Sequence, residues 1–168
     1  MSDTVWASRE VQAALLGVAL GFLLSLIAEW WRGRARRRGH WAALSAEMEY
    51  CRSLANTYLH DGIGAPLYRL PTVAYANSLP ALLLAAALNE SDTRQLLSFF
   101  NTVETLNRGL DQIEGARLIA DPVEREQRLA EEYGRNRLKA ERLVPSVARS
   151  YYDSAKAVID FRLRWHKL

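Results

Sequence analysis

The chain contains one long stretch with no polar face and several with a single apolar stripe each. From residue 13 to residue 28 no side chain is charged, and only Ser25 is polar. Extended to Val11 and the pair Trp30 and Trp31, this stretch has about 21 residues. As a helix it measures roughly 31 Å, enough to cross the hydrocarbon core of a bilayer. The pattern predicts a transmembrane helix over 11–31. An interfacial helix would need a polar face, and this segment has none. A cleaved signal sequence would need a basic start and a small-residue cleavage site after the apolar core. Here the start is near neutral, and the core runs into Glu29, Trp30, Trp31 and Arg32. The abrupt Arg block at that end also argues against a buried core helix.

Beyond residue 40 the apolar positions step by three and four. Trp41, Leu44, Met48, Cys51, Ala55 and Tyr58 form one stripe, which predicts a helix from His40 to His60 with Gly62 as its C-cap. A loop runs to Pro71. Thr72 is expected to cap a short helix to Ser78, and Pro80 to open another over 81–88. That last piece is apolar all round and too short to span a bilayer. It is expected to pack inside the bundle or lie on the membrane surface.

Ser91 is the next expected N-cap, with Asp92 in the first turn. Leu96, Phe99, Val103, Leu106, Leu110 and Ile113 carry the stripe of that helix, which should end before Asp121 and Pro122. Asp121 as cap, Pro122 at the first helical position and Glu124 three after the cap start the next helix, to about Val144. It is the most charged, with sparse apolar residues, and reads as a solvated outer helix. Pro145 separates a last helix whose face is Val147, Tyr151, Val158, Phe161 and Trp165. Short connections make successive helices antiparallel. The expected fold is all-α: a single N-terminal transmembrane helix followed by a cytoplasmic antiparallel helical bundle of four long helices and a short excursion. The expected divisions are a 1–10 extracytoplasmic tail, the 11–31 span, a 32–39 basic juxtamembrane arm and a 40–168 bundle.

Charge supplies the orientation. Arg32, Arg34, Arg36, Arg37 and Arg38 come directly after the span, and basic flanks stay on the cytoplasmic side. The N-terminus is therefore expected outside and the C-terminal domain in the cytoplasm, at the cell inner membrane. Trp6, Trp30 and Trp31 suit the two aromatic belts, and Glu29 can pair with Arg32. Residues 40–168 balance, 16 basic against 16 acidic, so the net charge of +3 resides in residues 1–39. No basic domain remains to bind nucleic acid. The Arg cluster is better matched to membrane lipids with anionic headgroups. Trp165, with Arg164 and Lys167, is expected near the headgroups or on the side of the bundle facing the Arg arm. Arg outnumbers Lys 19 to 3, a bias that points to a GC-rich bacterial genome.

Within the span Ala13, Gly17, Gly21 and Ser25 recur every four residues. Small residues on one face let helices approach closely in lipid, so a homodimer or higher oligomer is one expectation. Chemistry is sparse. Cys51, the sole cysteine, excludes an internal disulfide and reads as a small buried hydrophobe. His40, His60 and His166 do not make a zinc set. The loop at Gly62, Ile63 and Gly64 lacks the phosphate-cradle pattern, and no nucleophile elbow, HExxH or paired Glu-x-x-His occurs. Glu47, Glu49, Glu104 and Asp111 sit on predicted helices, the last two as a solvated edge. No catalysis, metal or cofactor is inferred. Tyr68, Arg69 and Tyr75 form either a recognition surface for a protein partner or, by the usual habit of aromatics beside proline, a packed lid. The function expected from these features is an adapter or scaffold of a membrane complex. The alternative is a self-assembling membrane effector or pore built on the small-residue face.

Overall fold

The computed structural model describes residues 9–61, 69–145 and 150–165. They form five helices and, among the described residues, no strand: α1 (Arg9–Asp61), α2 (Val73–Leu84), α3 (Glu90–Arg117), α4 (Pro122–Glu141) and α5 (Tyr151–Trp165). The chain divides into two compact units, Met1–Arg37 and Arg38–Leu168.

α1 has 53 residues and runs without a break through the basic arm. Between Trp31 and Trp41 the residues are Arg, Ala, His and two glycines, with no proline. Each glycine costs about 1 kcal/mol of helix propensity, which the Arg and Ala around it offset. The expected C-cap, Gly62, lies outside the described residues.

In the second unit the stripes of α1 and α3 are the core. Trp41, Leu44, Met48, Cys51 and Ala55 are buried from α1. Leu96, Phe99, Val103, Leu106, Leu110 and Ile113 are buried from α3. α3 is the hub, with α4 and α5 its closest neighbours. Phe99 and Phe100 meet edge to face at 5.1 Å, and Tyr75 of α2 stacks on Phe100 at 4.4 Å. α2 runs back along α1: Cys51 meets Pro71, Glu47 meets Ala74 and Tyr75, and His40 meets Ser78. α5 runs opposite to α3, since Phe99 faces Tyr152 and Asp92 faces Arg162.

Several local expectations are corrected. α2 is one helix that continues through Pro80 rather than two pieces split there. Proline lacks one helical N–H and crowds the preceding turn, but α2 is fixed from outside by α1 and α3. Thr72 precedes α2 without a side-chain cap bond. Its role passes to Glu47 of α1, whose carboxylate accepts from the Ala74 and Tyr75 N–H groups at 2.7 and 2.8 Å. α3 is capped by Asn89, which accepts from the Asp92 N–H, and not by Ser91. Asp121 caps α4 as expected, accepting from Val123 and Glu124.

The face of α5 is also corrected. Tyr152, Ala155, Val158 and Ile159 are buried, whereas Phe161 is 54% and Trp165 64% exposed. Tyr151 is half-buried, and Val147 lies outside the described residues. Tyr152 and Ile159 are better placed on α3, because Phe99 packs against Tyr152 and Arg162 pairs with Asp92 one face round.

α2 ends in a tight C-terminal motif. Ala86 adopts φ 48°, the Ala86 N–H donates to the Leu83 carbonyl and the Ala87 N–H to the Leu82 carbonyl. This is the Schellman arrangement, and its left-handed position favours glycine because a Cβ crowds the following carbonyl. Ala86→Gly is expected to raise stability by about 1 kcal/mol. The denaturation midpoint in detergent reads it. A neutral or destabilising result would mean that unfolded-chain entropy outweighs the relieved strain.

Candidate membrane and interaction surfaces

In the Met1–Arg37 unit every side chain from residue 12 to residue 32 is exposed. Ala13, Gly17, Gly21 and Ser25 share one open face, and a Cβ added at Gly17 or Gly21 would meet nothing within 4 Å. Trp30 and Trp31 meet edge to face at 5.6 Å, and the Arg34 guanidinium lies 5.4 Å from the Trp30 ring centroid. Arg32 donates to the Ala28 carbonyl at 3.3 Å, the contact the structure gives it in place of the Glu29 pairing. Arg36 and Arg38 are exposed and Arg37 half-buried. Trp6 lies outside the described residues.

In the Arg38–Leu168 unit Arg69 is exposed and pairs with Asp111 and, at 3.3 Å, with Glu114. Tyr75 is half-buried under its stack with Phe100. Tyr68 lies outside the described residues. The structure thus ties Arg69 and Tyr75 to α3 at separate points, Arg69 towards its end and Tyr75 near its first third. Asn107 ties the same segment down by exchanging bonds with the backbone of Leu70, both at 2.8 Å.

Several titratable groups of this unit bond to neighbouring segments. Cys51 is fully buried, donates to the Pro71 carbonyl at 3.3 Å, and its thiol is pushed up to about 12 by burial and then by Glu47. A thiol so disfavoured as thiolate is no nucleophile at neutral pH. His40 shares a hydrogen bond with Ser78 at 3.2 Å, and His60 Nδ1 donates to the Asn56 carbonyl at 2.9 Å. His166 lies outside the described residues. Among the described residues no three His, Cys, Asp or Glu side chains gather as a metal set would.

Glu49 links α1 to α5. Tyr152 donates to it at 2.7 Å and Lys156 pairs with it at 3.1 Å. Burial alone would raise the Glu49 carboxyl, but these two bonds and the Arg52 charge outweigh it and hold it low. The Tyr152 phenol is pushed up to about 12, by burial first and by its bond to Glu49 second. The folded state therefore favours the neutral phenol, so its contribution is whole below 10.0 and is lost as pH rises through about 12. The unfolding midpoint is expected to hold up to about pH 10 and then fall. Tyr152→Phe should flatten that fall in part, because burial also raises Tyr58 and Tyr75. An identical alkaline limb in the variant would place the loss elsewhere.

Most of α4 is exposed, as expected of an outer helix, and the face it turns to α3 carries polar groups. Glu132, Asn136 and Ala140 are buried on α4. Asn136 lies against Gly109, and Lys139 donates to Asn136 Oδ1 at 3.1 Å and to the Thr105 carbonyl at 3.2 Å. Burial lowers the Lys139 ammonium from its ordinary value. Glu132 takes Arg135 at 2.9 Å on one oxygen. A signal for this contact is present in the chain: Gly109 interrupts the stripe between Leu106 and Leu110, and Asn136 comes after Leu129 and Tyr133 at helical spacing. Comparison with family models, characterised proteins and solved structures finds no match for this chain.

Proposed function

We propose that this is a single-pass inner-membrane protein, N-terminus outside, whose cytoplasmic antiparallel helical bundle binds a protein partner as an adapter or scaffold. One observation carries the reading. From residue 13 to residue 28 the side chains of α1 are uncharged, apolar but for Ser25 and exposed all round, and a block of Arg begins at residue 32. Left in water, such a surface costs about 25 cal/mol for each Å² of apolar area. In hydrocarbon it costs nothing, and its backbone is already satisfied within the helix. The Arg block supports a cytoplasmic placement of the bundle. Binding rather than catalysis is favoured because Glu47, Glu49, Cys51 and His40 are each taken up in contacts between helices. Membrane lipids are the second partner, and nucleic acid is not one.

The small residues Ala13, Gly17, Gly21 and Ser25 at every fourth position support a second element of the reading, self-association to a homodimer or higher oligomer. They are also the face a pore or membrane effector would use.

The test is purification of the full-length protein in mild detergent from its host, with mass spectrometry of co-purifying chains, against a control lacking residues 40–168. A stoichiometric partner lost with the bundle supports the adapter. Recovery of a defined homo-oligomer alone, dispersed by Gly17→Ile with Gly21→Ile, moves the assignment to the self-assembling effector. A reporter fused after residue 168 that is active only outside the cell overturns the orientation.

A further inference from the structure

We propose that one end of the Arg38–Leu168 unit is a lipid-facing foot. Its exposed Leu83, Leu84, Phe161 and Trp165 enter the headgroup–acyl boundary of a bilayer. The proposal rests on the reading of residues 11–31 as a span.

Contacts place these side chains at one end of the unit. Along α1 the partners of α2 step from Pro71 at Cys51, through Ala74 and Tyr75 at Glu47, to Ser78 at His40. Beyond Ser78, α2 continues in the same direction to its C-terminal turn at Leu83 and Leu84. α5 descends in the same direction. Tyr152 and Lys156 meet Glu49, and Arg162 then meets Asp92 in the first turn of α3. The first turns of α3 also line a groove with Leu83, through Thr93 and Arg94. The C-terminal turns of α2 and α5 therefore flank the start of α3 on one end of the unit. The chain joins the unit at that same end, at Arg38.

The exposed groups there include several large apolar ones. Leu84 is 90% and Leu83 46% exposed, and Ala85 and Ala86 beside them are also exposed. The Phe161 and Trp165 rings lie 5.8 Å apart on the outer face of α5, with exposed Arg164 between them in sequence. Single exposed apolar residues are ordinary, whereas a group of large ones at one end marks an interaction surface. Two features select lipid as the occupant over a second copy. The covalent tether at Arg38 leads directly into an Arg block and an apolar span, so the bilayer surface is present at high effective concentration. Aromatic side chains interleaved with Arg are also the composition of a bilayer interface. An interfacial element of this kind sinks about 5–10 Å into the headgroup–acyl boundary.

The test uses the full chain in vesicles of phosphatidylcholine and phosphatidylglycerol. Cys51 is buried, so an environment-sensitive fluorophore goes to a new cysteine at an exposed position: Leu84→Cys, Phe161→Cys, Asn56→Cys or Leu24→Cys. With a doxyl quencher near the top of the acyl chain, labels at 84 and 161 are expected to be quenched at least about threefold more than at 56, with blue-shifted emission. A label at 24 is expected to respond to a doxyl group deep in the chain. If 24 is quenched while 84 and 161 behave like 56, the foot is overturned and the span stands. If 24 is not quenched, the span falls and the foot with it. If the label at 84 is blue-shifted but blind to doxyl lipid, and the shift disappears on dilution to one protein per vesicle, a second copy covers this end and the proposal is overturned.

Discussion

Glu47→Ala is expected to lower the stability of the protein by about 3 kcal/mol, from the loss of two charge-assisted bonds to helix N–H groups. Glu47 is 8% exposed, on the buried side of α1. Its two oxygens accept from Ala74 and Tyr75, the second and third N–H groups of α2, which an N-cap side chain would ordinarily take. Thr72 makes no such bond, so no local side chain replaces the carboxylate. The negative charge also faces the positive end of the α2 dipole. Glu47→Gln keeps one acceptor oxygen and should retain roughly half of the effect. Denaturant unfolding in detergent measures both. A loss below about 1 kcal/mol for Glu47→Ala would mean that water reaches those two N–H groups once the carboxylate is gone.

Gly109→Ala carries the second large effect, a loss of about 2–3 kcal/mol from overpacking. A Cβ at Gly109 would lie 1.9 Å from Asn136 Oδ1 and 2.6 Å from its Cγ. Asn136 is fully buried and accepts from Lys139, so moving its amide aside costs that bond and disturbs close-packed neighbours. The clash has one named partner, which makes the prediction specific. Asn136→Ala removes the amide, and in its presence Gly109→Ala should cost far less. The double-mutant cycle is expected to show a coupling energy of at least about 1 kcal/mol. Additive losses would mean that α4 shifts as a body and that the Gly109 contact is not the constraint. Lys139 keeps the Thr105 carbonyl in the double variant, so its ammonium is not left without an acceptor.

The helices themselves are legible because periodicity is a local property. The stripes through Trp41, Leu44 and Met48, and through Leu96, Phe99 and Val103, are buried residue for residue. Asp121 with Pro122 marks the start of α4 because a short acidic side chain and a proline satisfy a helix N-terminus within their own turn. Where local pattern misleads, the deciding partner lies far along the chain. The α2 start is capped by a residue 27 positions earlier, which no window around Thr72 contains. Pro80 reads as a break because proline disfavours a helix interior, yet α2 is held by Glu47, His40 and the Phe100 ring.

The α5 face shows the same limit at finer scale. Tyr151, Phe161 and Trp165 and their neighbours Tyr152, Val158 and Ile159 offer two overlapping stripes, and hydrophobicity alone favours the one with the larger rings. Arg162 against Asp92 and Tyr152 against Glu49 select the other. The residues left outside are the ones proposed for the lipid surface. Tyr75 and Arg69 read in the sequence as either a partner surface or a packed lid, and the structure gives Tyr75 a ring stack and the exposed Arg69 an ion pair with α3.

Chain chemistry alone established that this protein is helical, that its first helix holds an apolar stretch long enough to cross a bilayer, and which stripes of α1 and α3 go inward. Those properties arise from the order of neighbouring residues and the 3.6-residue turn. The cap supplied by Glu47, the Gly109–Asn136 contact and the phase of α5 came from the packed structure. Each is a contact between residues remote in sequence, chosen by the fit of one surface to another and by the cost of leaving a buried polar group without its partner.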